Sequence, residues 1–429
     1  MNSRFWRTIK LFARRLWVKV ALFGLVALLT PVLSDWLSPF VPDRAFLDAV
    51  AKPTEELLGI LTSSMLVVTT FSISIAVASF TSAANSSSPR ATVLLEEDHT
   101  TQTVLAIFIG AFVFGLVSLI AFHAGLFSRS DQLILFAVTV LVTAIVVVSL
   151  MRWINHLMRF GQLHDTLDRI KAATKASLTA RLQAPILGGQ PLTGELPGHA
   201  RPIASPRSGV IQHVDMPGLQ AIAAENGLQL YMTRVPGEWI VEGQPLCYAS
   251  GRDIPDETAC RIAGALLLGA ERTFDDDPLF GLLVLAEIGS RALSPGINDS
   301  GTAVDVIRRQ TRLLSIWPKF SGHSVTFENV HVRPILAEEA VNQAYRRLAR
   351  DGAGVLEVQA ELQNAMNGLG ELAPETFGQA TRDMSEYALL QARESGMLEA
   401  DLDRLTKTVR NGDFERSLDV PPAQSDRTI

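Results

Sequence analysis

Cysteine is almost absent. Cys247 and Cys260 are the two in 429 residues, too few to staple a small secreted scaffold. Unpaired thiols suit a reducing compartment. An excess of positive charge is also missing: Lys and Arg number 38 against 44 Asp and Glu, a net charge of −6. The whole chain is therefore not a basic nucleic-acid binder. Charge of either sign is sparse at 19%, while hydrophobic residues reach 48%, which excludes a disordered or fibrous chain. A mean hydropathy of +0.22 is too high for an ordinary soluble domain and too low for a chain that lies mostly in a membrane. Two unlike parts explain the average. No lysine occurs between Lys175 and Lys319. There is no P-loop, dinucleotide fingerprint, zinc-ligand spacing, nucleophile elbow or kinase motif. No cofactor or metal is expected, and nothing ranks an enzyme first.

What the chain does have is long apolar runs. They predict membrane spans at about 16–34, 57–80, 103–123 and 132–150, each near the ~20 residues that cross a bilayer as a helix. A four-helix membrane domain over 1–155, held in the lipid bilayer, follows. The basic start (Arg4, Arg7, Lys10, Arg14, Arg15) would also suit a signal peptide. However, Thr30 to Asp35 offers no clear small-x-small cleavage site and three more runs follow, so the first run reads as an anchor. Lys and Arg cluster before the first run and after the fourth. The positive-inside rule then puts both termini in the cytoplasm of a bacterial inner (plasma) membrane. Trp17, Trp36 and Trp153 stand at span ends, where an aromatic belt would sit.

The second run is rich in hydroxyls, and Ser63, Thr70 and Ser74 share one helix face. Such residues let helices pack closely, and they can also line a water-filled path. Packing is the plainer reading, and pore lining the functional one. Gly110, Ala111 and Gly115 in the third run read first as packing.

Beyond the membrane part, 156–206 reads as a basic helix and linker, with His156 and His164 too few for a metal site. A small β-barrel-like module is expected over 207–255. The phrase Val235 to Leu246 resembles the half-barrel repeat of lipoyl and biotinyl carrier domains, but the lysine those domains modify is missing. An α-helical bundle is expected within 256–412, with amphipathic helices at Ala337–Arg350, Val355–Leu369, Glu375–Glu394 and Leu398–Val409. Residues 413–429 read as a disordered tail. The fold class is an α+β membrane protein.

The segment from Cys260 to Trp317 carries the densest signals. Asp277 before Pro278 is an N-cap followed by Pro at N1. Glu287 and Arg291 are spaced as a helical ion pair. Asn298, Asp299 or Ser300 would cap the next helix, and Arg272 could close a network with Asp277 or Asp299. The functional alternative is that Arg272, Thr273, Asp277, Arg291, Asn298 and Asp299 converge on one ligand or ion site. A structural network and an interface stand beside it.

These residues also carry a resemblance. The stretches Phe80 to Arg90 and Asp98 to Gly110 resemble a bacterial family of predicted membrane proteins, domain of unknown function 2254. So, above all, do Glu271-Arg-Thr with Asp277, and Ser290-Arg-Ala-Leu-Ser-Pro-Gly-Ile-Asn-Asp299. The resemblance implies four membrane helices and a cytoplasmic domain, and it brings no catalytic set. Where the family has Gln-Asp this chain has Asp276-Asp277, and where the family often has Pro after Asn-Asp it has Ser300. Three functions remain open: a homo-oligomeric ion channel gated by its cytoplasmic domain, a membrane-anchored scaffold or sensor that binds a small ligand or protein, and a membrane-associated enzyme.

Overall fold

The computed structural model describes residues 16–37, 44–96, 98–127, 129–158, 162–251, 253–320 and 325–411. The expected tail at 413–429 lies outside them. The chain divides into two compact units, Met1–Thr166 and Leu167–Ile429.

The first unit is helical. Its elements are α1 (Leu16–Leu37), α2 (Arg44–Ser86), the short α3 (Thr92–Glu96), α4 (His99–His123) and α5 (Arg129–Leu157). Among the described residues, three stretches are long and apolar enough to cross a membrane: Pro53–Ala84, Thr100–His123 and Gln132–Leu157. The first expected span is helical as α1. Gly110 and Gly115 do serve packing. A side chain at Gly110 would meet the Phe23 ring, and one at Gly115 would meet Thr62, so small residues let helices approach closely here. Trp153 departs from the expected belt, being only 2% exposed and stacked on His156 at 5.8 Å. His156 in turn meets Asp98 at 2.9 Å, and Asp98 caps α4 by accepting from the Thr101 amide at 2.8 Å. The Trp153 indole thus covers a buried polar pair. The side chains of Trp17 and Trp36 lie outside the description.

Helix α6 (Leu163–Gln183) starts within the first unit and belongs to the second from Leu167 on. Strands β1 (Gln190–Pro191), β2 (Arg201–Ala204) and β3 (Gly209–Val214) follow, then α7 (Met216–Asn226), β4 (Gln229–Met232), β5 (Trp239–Ile240) and β6 (Pro245–Ser250). Next come α8 (Asp256–Gly264), β7 (Leu266–Gly269), α9 (Pro278–Ala292), α10 (Ser300–Leu314) and β8 (Val330–Val332). The chain closes with α11 (Ala337–Asp351), α12 (Leu356–Leu372), α13 (Pro374–Glu394) and α14 (Glu399–Asn411).

The strands do not close into the expected barrel. They form a five-stranded sheet ordered β1-β8-β4-β6-β2 and a three-stranded sheet ordered β5-β3-β7. The physical reason is distant pairing. β8 enters parallel to β4, with Leu230 opposite Val330, and β7 pairs antiparallel with β3 across a bulge between Ile211 and His213. The Gly/Pro-rich stretch read as a linker supplies β1 and β2. Apolar residues at alternate strand positions (Ile203, Ile211, Leu230, Leu246, Val330) meet α7 and α8 in one core.

Helix α9 is apolar on most sides, and Phe280, Leu282, Val284, Leu285 and Ile288 are buried. Asp277 starts it, with Pro278 at the first position, as the Asp-Pro pair predicts. Against it lies α6, where the buried Thr174 hydroxyl donates to the Ile170 carbonyl at 2.6 Å. A Cβ at Gly281 would collide with that Thr174 side chain. Gly281→Leu should therefore force the two helices apart and lower stability by about 1–3 kcal/mol. Thermal unfolding of the detergent-solubilised chain checks this, and an unchanged Tm would refute the close contact.

Candidate functional site

The loop from β7 to α9 places Arg272 and Asp277 together. Asp277 is 3% exposed. Its Oδ1 accepts from the Leu279 and Phe280 amides at 3.2 and 3.1 Å, capping α9. The same carboxylate receives Arg272 in a two-pronged pair, Nε to Oδ2 at 2.6 Å and Nη2 to Oδ1 at 3.0 Å. The Arg272 guanidinium also lies 5.3 Å from the centre of the Phe280 ring. Burial pushes the Asp277 carboxyl above its ordinary range, while Arg272 and the two amides pull it back.

A cleft of about 640 Å³ opens beside this pair. The turn after β4 walls it with Arg234 and Glu238, the residue after β8 with Arg333, and the first turn of α11 with Glu339. Arg234 Nη1 meets Glu238 Oε2 at 3.0 Å. Arg333 bridges Glu238 and Glu339 at 2.7 and 2.6 Å. Burial works against the Arg333 charge, but the two glutamates outweigh it and hold the proton more tightly than usual. Gly237 makes this wall possible. Its φ is +98°, open to glycine at little cost, and the Asp277 carboxylate fills the space a Cβ would need.

The charge of Arg181, in the last turn of α6, also acts on this group. Arg181 is 5% exposed. Its Nε, Nη1 and Nη2 are buried, and none has a hydrogen-bond partner among the described residues. Burial draws its pKa down to about 10; Asp277 and then Asp276 oppose the fall, and repulsion from Arg333 adds to it. The guanidinium therefore sits within electrostatic reach of Asp277, Asp276 and Arg333.

The other expected site residues lie elsewhere. Thr273 is half-buried beside Arg272 in the same loop. Arg291, Asn298 and Asp299 are exposed at the far end of α9, about 20 Å away at 1.5 Å per residue over its 15 residues. The six do not converge, because a whole helix separates the two groups. Asn298 adopts φ +52°, a conformation asparagine tolerates. Asp299 caps α10, accepting from the Thr302 amide at 3.0 Å and its hydroxyl at 2.6 Å. Those bonds hold its carboxyl below the usual range. In the membrane unit, Ser63, Thr70 and Ser74 are exposed on α2, and each hydroxyl donates to the carbonyl four residues back, at 2.8, 2.9 and 3.0 Å.

Sequence reasoning missed Arg181, Arg234, Glu238, Arg333 and Glu339. Arg181 reads there as the ordinary basic end of an amphipathic helix. One further match decides the kinship: the family model described as predicted membrane protein (DUF2254) covers residues 13–368. The chain belongs to this family. Similar curated proteins include an uncharacterised protein of Mycobacterium bovis and one of Mycobacterium tuberculosis. Each is 28% identical over 182 residues, which is 40% of this chain. The alignment spans 34% of those relatives' length, about a third. No solved structure matches the chain.

The cluster generates a paired prediction. The fall of Arg181 from 12.5 to about 10 corresponds to about 3 kcal/mol of uncompensated burial. Arg181→Met keeps the stem's bulk, so it should stabilise the resting fold by up to that amount. Asp277→Asn keeps the cap but leaves Arg272 unpaired, and should destabilise by about 3 kcal/mol. Opposite shifts in Tm check both, and a drop in Tm for Arg181→Met would refute the cost.

Proposed function

We propose that this membrane protein is a ligand sensor anchored in the bacterial inner membrane. Its second unit takes a small molecule in the cytoplasm, in the cleft between Arg234, Arg272 and Arg333. α1 serves as a fourth span, and both termini lie on the cytoplasmic side, as the basic flanks of the spans suggest. The observation that carries this reading is the cleft. Its volume of about 640 Å³ falls in the range of small-molecule sites, and a few polar groups point into it from separate segments. Asp277, Glu238 and Glu339 are each bonded to arginine, so none is poised as a general base. That favours binding over turnover.

A second reading is a homo-oligomeric channel gated by the soluble unit. It draws on the exposed hydroxyl face of α2, which would line a path between subunits.

Hydrogen exchange on the full chain in nanodiscs, with a panel of metabolites, separates the two. The sensor predicts ligand-dependent protection at 234–238 and 272–280, and no salt flux from liposomes. Flux that vanishes in Thr70→Leu, with no metabolite protecting the cleft, would make the protein a channel.

A further inference from the structure

The charges around the cleft are almost balanced. Arg272 pairs with Asp277, while Arg234 and Arg333 share Glu238 and Arg333 also holds Glu339. Arg181 has no such ion pair or hydrogen bond among the described residues. A buried guanidinium whose three nitrogens find no partner among the described residues is costly, since buried polar groups in folded proteins are almost always hydrogen-bonded. Thr174, two turns before Arg181 on α6, packs against Gly281, one turn into α9 from Asp277, and the Asp277 charge acts on the Arg181 guanidinium. Two arginines thus feel Asp277, and Arg272 is the one bonded to it.

An incoming anion resolves this. Arg272 and Arg333 border the cleft, and a guanidinium fork matches a phosphate or a carboxylate by paired hydrogen bonds. An anion held by Arg272 would free the Asp277 carboxylate for Arg181. Asp277 Oδ1 can stay on the Leu279 and Phe280 amides while Oδ2 turns, so α9 keeps its cap. We propose that the cleft binds a small anion bearing a phosphate or carboxylate group, and that its arrival hands Asp277 from Arg272 to Arg181. This rests on the sensor reading and extends it by naming the ligand's chemistry and the residue that registers it.

Arg181 touches no ligand in this scheme; it is a positioning residue. Its place gives the exchange a mechanical output. It lies on α6, the helix that follows α5 of the membrane unit in the chain, and the same helix carries Thr174 against Gly281 of α9. A new ion pair between Asp277 and Arg181 ties the last turn of α6 to the start of α9. Two packings of the same residues, biased by a ligand, make a switch.

The test uses the full chain in phosphatidylcholine nanodiscs, titrated with pyrophosphate or citrate against sodium chloride of matched ionic strength. Binding is read from Tm and from hydrogen exchange at 272–280. A saturable response to at least one of the two anions is expected. Arg272→Gln and Arg333→Gln should weaken it about tenfold or more. Arg181→Met should also weaken it about tenfold, although it stabilises the resting protein, and Arg181→Lys should restore most of the affinity by returning the charge. A protein that is merely stabilised would not lose affinity. Adding phosphatidylglycerol separates the sources: a response it abolishes assigns the site to a lipid headgroup, and an unchanged response assigns it to a soluble anion. No saturable response to either anion overturns the proposal, as does wild-type affinity in Arg181→Met. Protection of the cleft by a neutral or cationic metabolite, with both anions silent, would sink this inference and leave the sensor reading standing. Protection by nothing would sink both.

Discussion

Asp277 has two oxygens and more claims on them than they can meet. They cap the first turn of α9, hold Arg272, act through their charge on Arg181 and fill the space in front of Gly237. Each claim restricts the others. The cap needs Oδ1 aimed at the amides, the Arg272 fork uses both oxygens, and the missing Cβ of Gly237 leaves them their room. A side chain so constrained transmits displacement instead of absorbing it, because the surrounding core has no slack at its packing density.

The cleft exists because distant segments are brought into register. The pairing of Met232 with Val332, and the bond from the Arg333 amide to the Met232 carbonyl at 3.2 Å, place Arg333 beside the turn that bears Glu238. The first turn of α11 then supplies Glu339. None of these side chains would be close without the parallel β4–β8 pair. A parallel pair needs a long crossover, and here the crossover includes α8, β7, α9 and α10. The functional residues therefore rest on the sheet, while the apolar core of α9 holds the whole in place.

Local physics was readable in the sequence, and distant pairing was not. Asp277-Pro278 announced its helix, because capping involves neighbours in the chain. The apolar runs announced the membrane stretches, because hydropathy over about twenty residues needs no partner. Gly110 and Gly115 read correctly as sites of close packing. The barrel expectation failed because β8 and β7 arrive from outside the segment that looked self-contained. The six-residue pocket failed because α9 spaces Asp277 from Arg291 by its full length. Arg181 stayed hidden for a related reason: its character comes from burial against carboxylates far along the chain, and nothing in its own helix marks it.

The hydroxyls of α2 add one more consequence. Ser63, Thr70 and Ser74 each lend their proton to a carbonyl of their own helix, which spends the donor that an apolar surrounding could not satisfy. One rotation about χ1 withdraws that proton and offers it sideways. The helix can change from greasy to polar without moving its backbone, at the cost of a rotamer change for each residue. A surface built this way can suit either an apolar or a polar neighbour with one and the same backbone.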